Sequence, residues 1–297
     1  MVLQIFKKAN YNIVDKRRLA FIVSVVVILA GVVSLFLQGL NFGIDFEGGA
    51  KMQIKFNTPV TAEELRAKFT VTDFGIPEIK SSGVNEYMIT INASESVDTD
   101  EVLKSVLGTM DYTLLQVDKI GPKIGHEMRS NSFKAILIAL ILVLIYITVR
   151  FEFKFAVGAV IALAHDVLVT FAFFSFFQWE ISMPVLAAFL TIVGYSLNDT
   201  IVVYDRIREN IKVHKGKPLK DVINLSINQS LSRTVITSLT TFMVVLILAI
   251  FGGQVLFGFS IAMVVGVIVG TYSSMFVAAP ILIAWEHKFK EKEEKKA

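Results

Sequence analysis

The chain has 297 residues, a formal net charge of +3 and no cysteine, which excludes disulfides and cysteine-ligated metal sites. Hydrophobic residues make up 54% of it and its mean hydropathy is +0.63, which excludes an ordinary soluble protein of this length. Six runs are long and apolar enough to cross a bilayer, so we predict a polytopic α-helical membrane protein. The predicted spans are 19–39, 132–149, 155–177, 181–204, 234–251 and 256–284.

The first span follows a basic N-terminal arm, residues 1–18. Lysines and arginines before an apolar run also occur in cleaved signal peptides. The run 19–39 is longer than a signal-peptide core, however, and no small-residue cleavage pattern follows it. We therefore expect a retained signal-anchor helix.

A glycine-rich stretch, NFGIDFEGGA, follows the first span. Gly43, Gly48 and Gly49 permit a tight backbone path, and Asp45 lies close to the predicted membrane surface. By itself the stretch is compatible with a simple turn from the helix into a strand. It becomes informative only in combination with polar residues of the later spans.

Residues 40–131 are predicted to form a small extracytoplasmic domain with flanking linkers. Strand-like alternation and two helix starts follow in the order β-α-β-β-α-β, which is typical of a ferredoxin-like α+β fold. The first helix begins at Thr61 with Glu64 three residues later, a capping box, and the second begins at Asp98. Because the domain sequence has no histidine, cysteine or carboxylate cluster with ligand spacing, we predict neither metal nor cofactor, and a binding or mechanical role rather than catalysis.

The basic residues predict the orientation of the chain. They gather before the first span, in the short loop 150–154, in the segment 205–233 and in the tail 285–297, whereas the loops QWE and GGQV contain none. Cytoplasmic loops carry the excess of lysine and arginine, so both termini are predicted to be cytoplasmic in an inner-membrane protein. This clustering at membrane flanks gives no support to nucleic-acid binding.

Ionisable side chains occur inside the apolar spans. An aspartate at the centre of a transmembrane helix costs roughly 2.5–3.5 kcal/mol on insertion scales, so it persists where it faces a bundle interior or a wet cavity and has a partner. Asp199 in the fourth span and Arg233 at the start of the fifth could lie at matching depth. We predict that they form a proton-coupling pair: beside the guanidinium the acid stays ionised, and away from it, in apolar surroundings, it binds a proton.

Other polar residues are predicted to support this pair. Ser196, Asn198 and Thr200 accompany the acid in the fourth span, and the first and last of these share one edge of the helix. His165 and Asp166 in the third span form either a proton relay or a supporting polar cluster, and the sequence leaves both open. Neutral polar groups that join membrane helices contribute about 0.6 kcal/mol each, without the need for an ionisable acid.

Together these features resemble the SecF family, the smaller membrane partner of SecD in bacterial protein export. The resemblance rests on GIDFEGG after the first span, the small exported domain, five further spans, HDV in the third, YSLNDTIVVYDRIREN in the fourth and SLSRT entering the fifth. It covers nearly the whole chain. It implies that Asp199 is the key intramembrane acid and Arg233 the required arginine, and that the fold is related to resistance-nodulation-division transporters.

The resemblance also implies partners and a task. It implies association with SecD, commonly with YajC, and action with the SecYEG channel after the SecA ATPase has pushed an unfolded polypeptide in. The proton-motive force would then help to pull or release that polypeptide on the outer side. Six spans are half of the expected twelve-helix unit, so a SecD half would have to complete the proton path.

Three other interpretations differ in class. An intramembrane protease would use Asp166 and Asp199 as a catalytic dyad. A proton-coupled exporter of small molecules or lipids would need a substrate pocket in the exported domain. A structural scaffold would tolerate the loss of Asp199.

Two features stay open at the level of sequence. GVIVG in the last span, Gly266 to Gly270, has the GxxxG spacing that lets helices approach closely, and packing is favoured over a hinge. The segment 205–233 contains an amphipathic pattern that could lie at the membrane interface or pack under the bundle.

Overall fold

The structure is a computed structural model that describes residues 10–69, 77–91 and 98–294, with side chains described up to residue 286. The predicted arm 1–18 and tail 285–297 therefore lie partly outside the described residues. Within the described ranges, six helices are long and apolar enough to cross a membrane. The prediction of a polytopic α-helical membrane protein with a small α+β domain is confirmed.

The elements follow one another along the chain without long irregular connections between the spans. A 3-10 turn, Val14–Lys16, leads into α1 (Arg17–Gln38) and the one-turn helix α2 (Ile44–Glu47). The α+β domain comprises β1 (Gly49–Phe56), α3 (Ala62–Phe69), β2 (Glu78–Gly83), β3 (Glu86–Ile91), α4 (Thr99–Leu107) and β4 (Tyr112–Ile120). The remaining helices are α5 (Pro122–Arg150), α6 (Phe153–Phe177), α7 (Met183–Val213), α8 (Leu219–Phe251), α9 (Gly253–Ser273) and, after a π-helical turn at Ser274–Ala278, α10 (Ala279–Glu294).

The four strands form one antiparallel sheet in the order β2-β3-β1-β4. Met52 of β1 lies opposite Ile89 of β3 and Val117 of β4. Because β3 separates β1 from β2, the two strands joined by α3 are parallel but not adjacent, as in a split β-α-β unit. Met52, Leu65 and Leu103 are fully buried between the sheet and its helices. The predicted ferredoxin-like arrangement is confirmed.

Local capping fixes where the domain helices begin. The Thr61 backbone N–H donates to Glu64 Oε2 at 3.0 Å, and the Glu64 N–H donates to Thr61 Oγ1 at 3.3 Å, so the predicted capping box forms. Asp98 instead accepts from the N–H of Asp100 at 2.9 Å. Both arrangements satisfy backbone donors that a helix start leaves free.

The membrane helices differ in how much of their surface the chain itself covers. Of the most apolar stretch of each helix, 61% of residues are buried in α6, but only 11% in α5. Helices α7 and α9 approach each other closely, because a Cβ on Gly266 or Gly270 would lie 2.3 Å from Ile192 or 2.9 Å from Ser196. This close approach supports the packing interpretation of the GxxxG spacing.

On the side of the bundle away from the sheet, the 205–233 segment is mostly helical. It continues α7 to Val213 and starts α8 at Leu219. Ile223 is fully buried in a cluster that includes Val14, and Asn224 accepts a hydrogen bond from the Ile13 N–H at 2.9 Å. The amphipathic pattern therefore packs under the bundle, against the chain that enters the first span.

Candidate functional site

Asp199 lies in the middle of α7 and is 3% exposed. Its Oδ2 accepts a hydrogen bond from Ser238 Oγ of α8 at 3.2 Å. Ser238 Oγ in turn accepts from Thr271 Oγ1 of α9 at 2.7 Å. The acid is thus held where three helices meet, and it faces the bundle rather than the lipid.

Arg233 lies on α8, slightly more than one turn before Ser238. Its side chain is exposed, and no ion pair forms between it and Asp199, although the guanidinium is close enough to interact electrostatically with that carboxylate. The predicted partners are therefore neighbours that do not touch. Their joint role in proton coupling stays a prediction.

The three predicted supporting residues of the fourth span have different surroundings. Asn198 is exposed on the outer face of the bundle. Thr200 is buried, and its Oγ1 has no hydrogen-bond partner, as is also true of Thr234 on α8. Ser196 belongs to a different acid, because its Oγ donates to Asp166 Oδ2 at 2.5 Å. The structure thus does not gather these three residues around Asp199.

Asp166 of α6 is 1% exposed and is surrounded by donors. Its Oδ2 accepts from Ser196 and, at 2.8 Å, from Ser273 Oγ of α9. Its Oδ1 lies 2.9 Å from His165 Nδ1. When Asp166 is a carboxylate, Nδ1 is the donor in that contact, because a carboxylate only accepts. Asp166 thereby connects α6, α7 and α9.

His165 extends this network to the first span. Its Nε2 lies 2.9 Å from Ser24 Oγ of α1, and that hydroxyl lies 3.1 Å from the Tyr272 hydroxyl. Tyr272 donates to the Ala20 carbonyl at 2.5 Å. Neighbouring residues on a helix point about 100° apart, which is why His165 and Asp166 reach different helices. Asp166 and Asp199 share no hydrogen-bond partner, so the geometry gives no support to a protease dyad.

The glycine-rich exit motif also takes up a definite position. The Asp45 Oδ2 accepts the Met183 N–H at 2.6 Å and so caps the start of α7. Gly48 has φ +82°, and a Cβ there would lie 2.7 Å from the backbone of Pro122. Gly49 has φ +136°, and a Cβ there would lie 2.7 Å from the Ile91 carbonyl oxygen. Only glycine fits this conformation and this close approach. The Gly43 N–H donates to the Ile181 carbonyl at 2.8 Å.

Comparison with known proteins decides the family. Residues 100–288 match the model of the protein export membrane protein SecD/SecF C-terminal region, and residues 33–60 match the SecD/SecF GG motif. The chain is 44% identical to the protein translocase subunit SecF of Rhodothermus marinus over 294 residues, which is 95% of each chain. It is 39% identical to the SecF of Vibrio alginolyticus, over 90% of this chain and 87% of that one. The chain belongs to the SecF family.

The solved structures that this SecF-family chain matches are of SecDF, a longer chain. The crystal structure of SecDF from Thermus thermophilus, a translocon-associated membrane protein, superposes with a TM-score of 0.86 at 36% identity. The match covers 94% of this chain and 39% of that one. SecDF in a super-membrane-facing form matches with a TM-score of 0.74 over 98% of this chain and 40% of that one. This chain therefore corresponds to one part of a SecDF chain.

Several residues of this SecF-family site escaped sequence reasoning. Five polar residues in apolar runs complete the two networks. Ser238 and Ser273 donate to the acids, and Thr271 donates to Ser238. Ser24 and Tyr272 extend the network from His165. Their only signal is local enrichment, as in SLTT of the fifth span and GTYSS of the sixth. Within the described ranges, no group of three or more histidine, cysteine, aspartate or glutamate side chains could hold a metal ion.

Proposed function

We propose that this chain is the SecF half of a Sec accessory complex that uses the proton-motive force to complete polypeptide export through the SecYEG channel. The observation that carries the proposal is Asp199, a carboxylate buried at mid-span with few donors and a guanidinium nearby. An ionisable acid in that position is expensive for a purely structural contact. It suits a group that gains and loses a proton.

The mechanism follows from the two surroundings available to this acid. In one state the hydroxyls of Ser238 and Thr271 and the charge of Arg233 favour the carboxylate. In the other state α7 and α8 shift, the acid takes a proton and Arg233 loses its counter-charge. Each proton that crosses the membrane supplies about 2.3 kcal/mol per 100 mV, enough to bias a bundle with two arrangements.

The exposed polar residues support a partner at the same depth. Asn198 and Arg233 face outwards from the bundle, where lipid chains would leave them unsatisfied. We infer that a SecD half covers this face and completes the proton path. In this proposal both termini are cytoplasmic, SecA acts upstream, YajC joins the complex, and the client is an unfolded polypeptide.

Export in sealed membrane vesicles, with and without a proton gradient, tests the proposal. We expect Asp199→Asn and Arg233→Met each to abolish the gradient-dependent part of export while assembly with SecD persists. Asp205→Asn is the matched control, because that acid lies on the same helix but is partly exposed and outside the cluster. Normal gradient-dependent export in Asp199→Asn would refute the proposal.

A further inference from the structure

The Glu180 carboxylate joins the loop between α6 and α7 to the α+β domain. Its Oε1 lies 2.6 Å from Lys51 Nζ of β1, and its Oε2 lies 3.4 Å from Lys80 Nζ of β2. The Glu180 side chain is 16% exposed. Burial opposes its ionisation, but the charges and hydrogen bonds of the two lysines outweigh burial and hold its pKa below the ordinary value.

The backbone around Glu180 fixes where the carboxylate stands. Ile181 pairs with Phe42 in a parallel bridge, and the Ile181 N–H donates to the Asn41 carbonyl at 2.7 Å. A Cβ on Gly43 would lie 2.5 Å from Glu180 Oε1, so the exit motif leaves room for the carboxylate. Glu180 is therefore wedged between the end of the first span and the sheet.

This loop connects the end of α6 to the start of α7, the two helices that carry the buried acids. Asp166 lies on α6 and Asp199 on α7, and the loop is the direct connection between these helices. A shift of α7 against α6 that reaches their connected ends would move the loop, and Glu180 with it, relative to the lysines of the sheet. Asp45, which caps α7, gives the same loop a second attachment.

Space for such a movement exists beside the ion pair. A cleft of about 820 Å³ separates the sheet from the loops at this end of the bundle. Gln53 and Gln116 line it from the sheet, and Trp179 and Phe257 line it from the bundle. On the side of the cleft, the sheet is therefore not packed against these loops, whereas Phe46 of α2 stays packed in the core of the bundle.

We propose that Glu180 is a positioning residue, whose ion pairs with Lys51 and Lys80 hold the α+β domain in one orientation on the bundle and let it go when α6 and α7 shift. The inference rests on the proposed function, since that function supplies the reason for the shift. An ion pair suits this task because it can break and form again with only side-chain movement. The domain would thus respond on the outer side to a proton that binds inside the membrane.

A reversible cross-link tests whether the domain must move. The chain has no cysteine, so Lys51→Cys with Glu180→Cys can be joined by a short reducible thiol cross-linker in the full chain assembled with SecD. Because this variant lacks the Lys51–Glu180 ion pair, its export before cross-linking is the reference. We expect cross-linking to abolish the gradient-driven part of that export and reduction to restore it to the reference level. The matched control is Lys55→Cys with Glu86→Cys, a pair 3.0 Å apart within the sheet, whose cross-linking leaves export unchanged. Normal export by the cross-linked Lys51–Glu180 pair would overturn the proposal.

A distance measurement tests the ion pair without export. Spin labels at Val84→Cys on the domain and Phe251→Cys on the bundle occupy exposed positions. We expect Glu180→Gln to broaden the distance distribution, and the exchange Glu180→Lys with Lys51→Glu to narrow it again. Glu86→Gln, which removes the ion pair inside the sheet, leaves it unchanged. An unchanged distribution in Glu180→Gln overturns the positioning role, whereas normal export in Asp199→Asn overturns only the proposed function.

Discussion

Asp166 and Asp199 lie in the same bundle and are both buried, at 1% and 3% exposure, yet their hydrogen-bond partners differ. Asp166 accepts from two serines and contacts His165, all within 2.9 Å. Asp199 accepts from Ser238 at 3.2 Å. The Thr237 hydroxyl is also within reach of the Asp199 carboxylate, but it bonds to backbone carbonyls of its own helix at 3.0 Å.

This difference separates two uses of a buried acid. Hydrogen-bond donors around a buried carboxylate connect it to the helices that carry them, and removing the carboxylate leaves those donors unsatisfied. Asp166 therefore serves best as a fixed connection between helices. Asp199, with fewer and longer contacts, is the acid for which the proposed function requires a change of charge.

The largest expected effect is on stability at Asp166. Asp166→Leu leaves His165 and Ser196 without this acceptor and Ser273 with only the Gly270 carbonyl. At about 1–3 kcal/mol for each buried donor left unsatisfied, this should lower the free energy of unfolding by about 2–6 kcal/mol. Asp199→Leu should cost less, because fewer donors lose their partner. Thermal unfolding of the full chain in detergent measures both. Equal losses at the two positions would contradict the comparison.

A smaller effect is expected from the serines that supply Asp166. Ser196→Ala and Ser273→Ala each remove a hydrogen bond to a charged group, so each should cost about 1.5–3 kcal/mol. Because both serines donate to the same oxygen, the double variant should depart from additivity. Simple additivity would mean that the two donors act independently, contrary to the network described above.

Sequence alone located the acids but not their roles. HDV and LNDT are visible because charged groups are rare in apolar runs, and both acids indeed face the bundle interior. The donors were not predictable, because serine and threonine in a membrane helix usually bond to their own backbone. Which of them turns toward an acid depends on how the helices pack.

The α+β domain was easier to anticipate than the bundle. Its strand alternation and the Thr61 capping box are local patterns, and both appear in the structure. Glu180 shows the limit of local patterns. In the sequence, the loop QWE is notable only because it contains no basic residue. The partners of Glu180 are distant along the chain: Lys51 lies 129 positions away and Lys80 lies 100 positions away.

A modest loss of stability is expected when the donor to Asp199 is removed. Ser238→Ala should lower stability by about 1 kcal/mol, less than either serine variant at Asp166, because the bond it removes is longer. Thr271→Val removes the donor behind Ser238, so the two variants should show coupling in a double-mutant cycle. Chemical denaturation of the full chain measures this. A loss as large as that of Ser196→Ala would remove the distinction between the two acids.

The smallest expected effect is the pH dependence of the domain's orientation, which depends on Glu180. This carboxylate lies outside the membrane spans and is the third acid to be compared. Because its folded-state pKa lies below the ordinary value of 4.5, its ion pairs contribute fully above that pH and lose their contribution as pH falls through the lower folded-state value. We expect the Val84–Phe251 label distances to stay constant around neutral pH and to broaden only in acid. In Glu180→Gln, the distribution of Val84–Phe251 label distances should be broad at every pH. A change near neutral pH would mean that a group other than Glu180 and Glu78, the carboxylate that pairs with Lys80 at 2.7 Å, positions the domain.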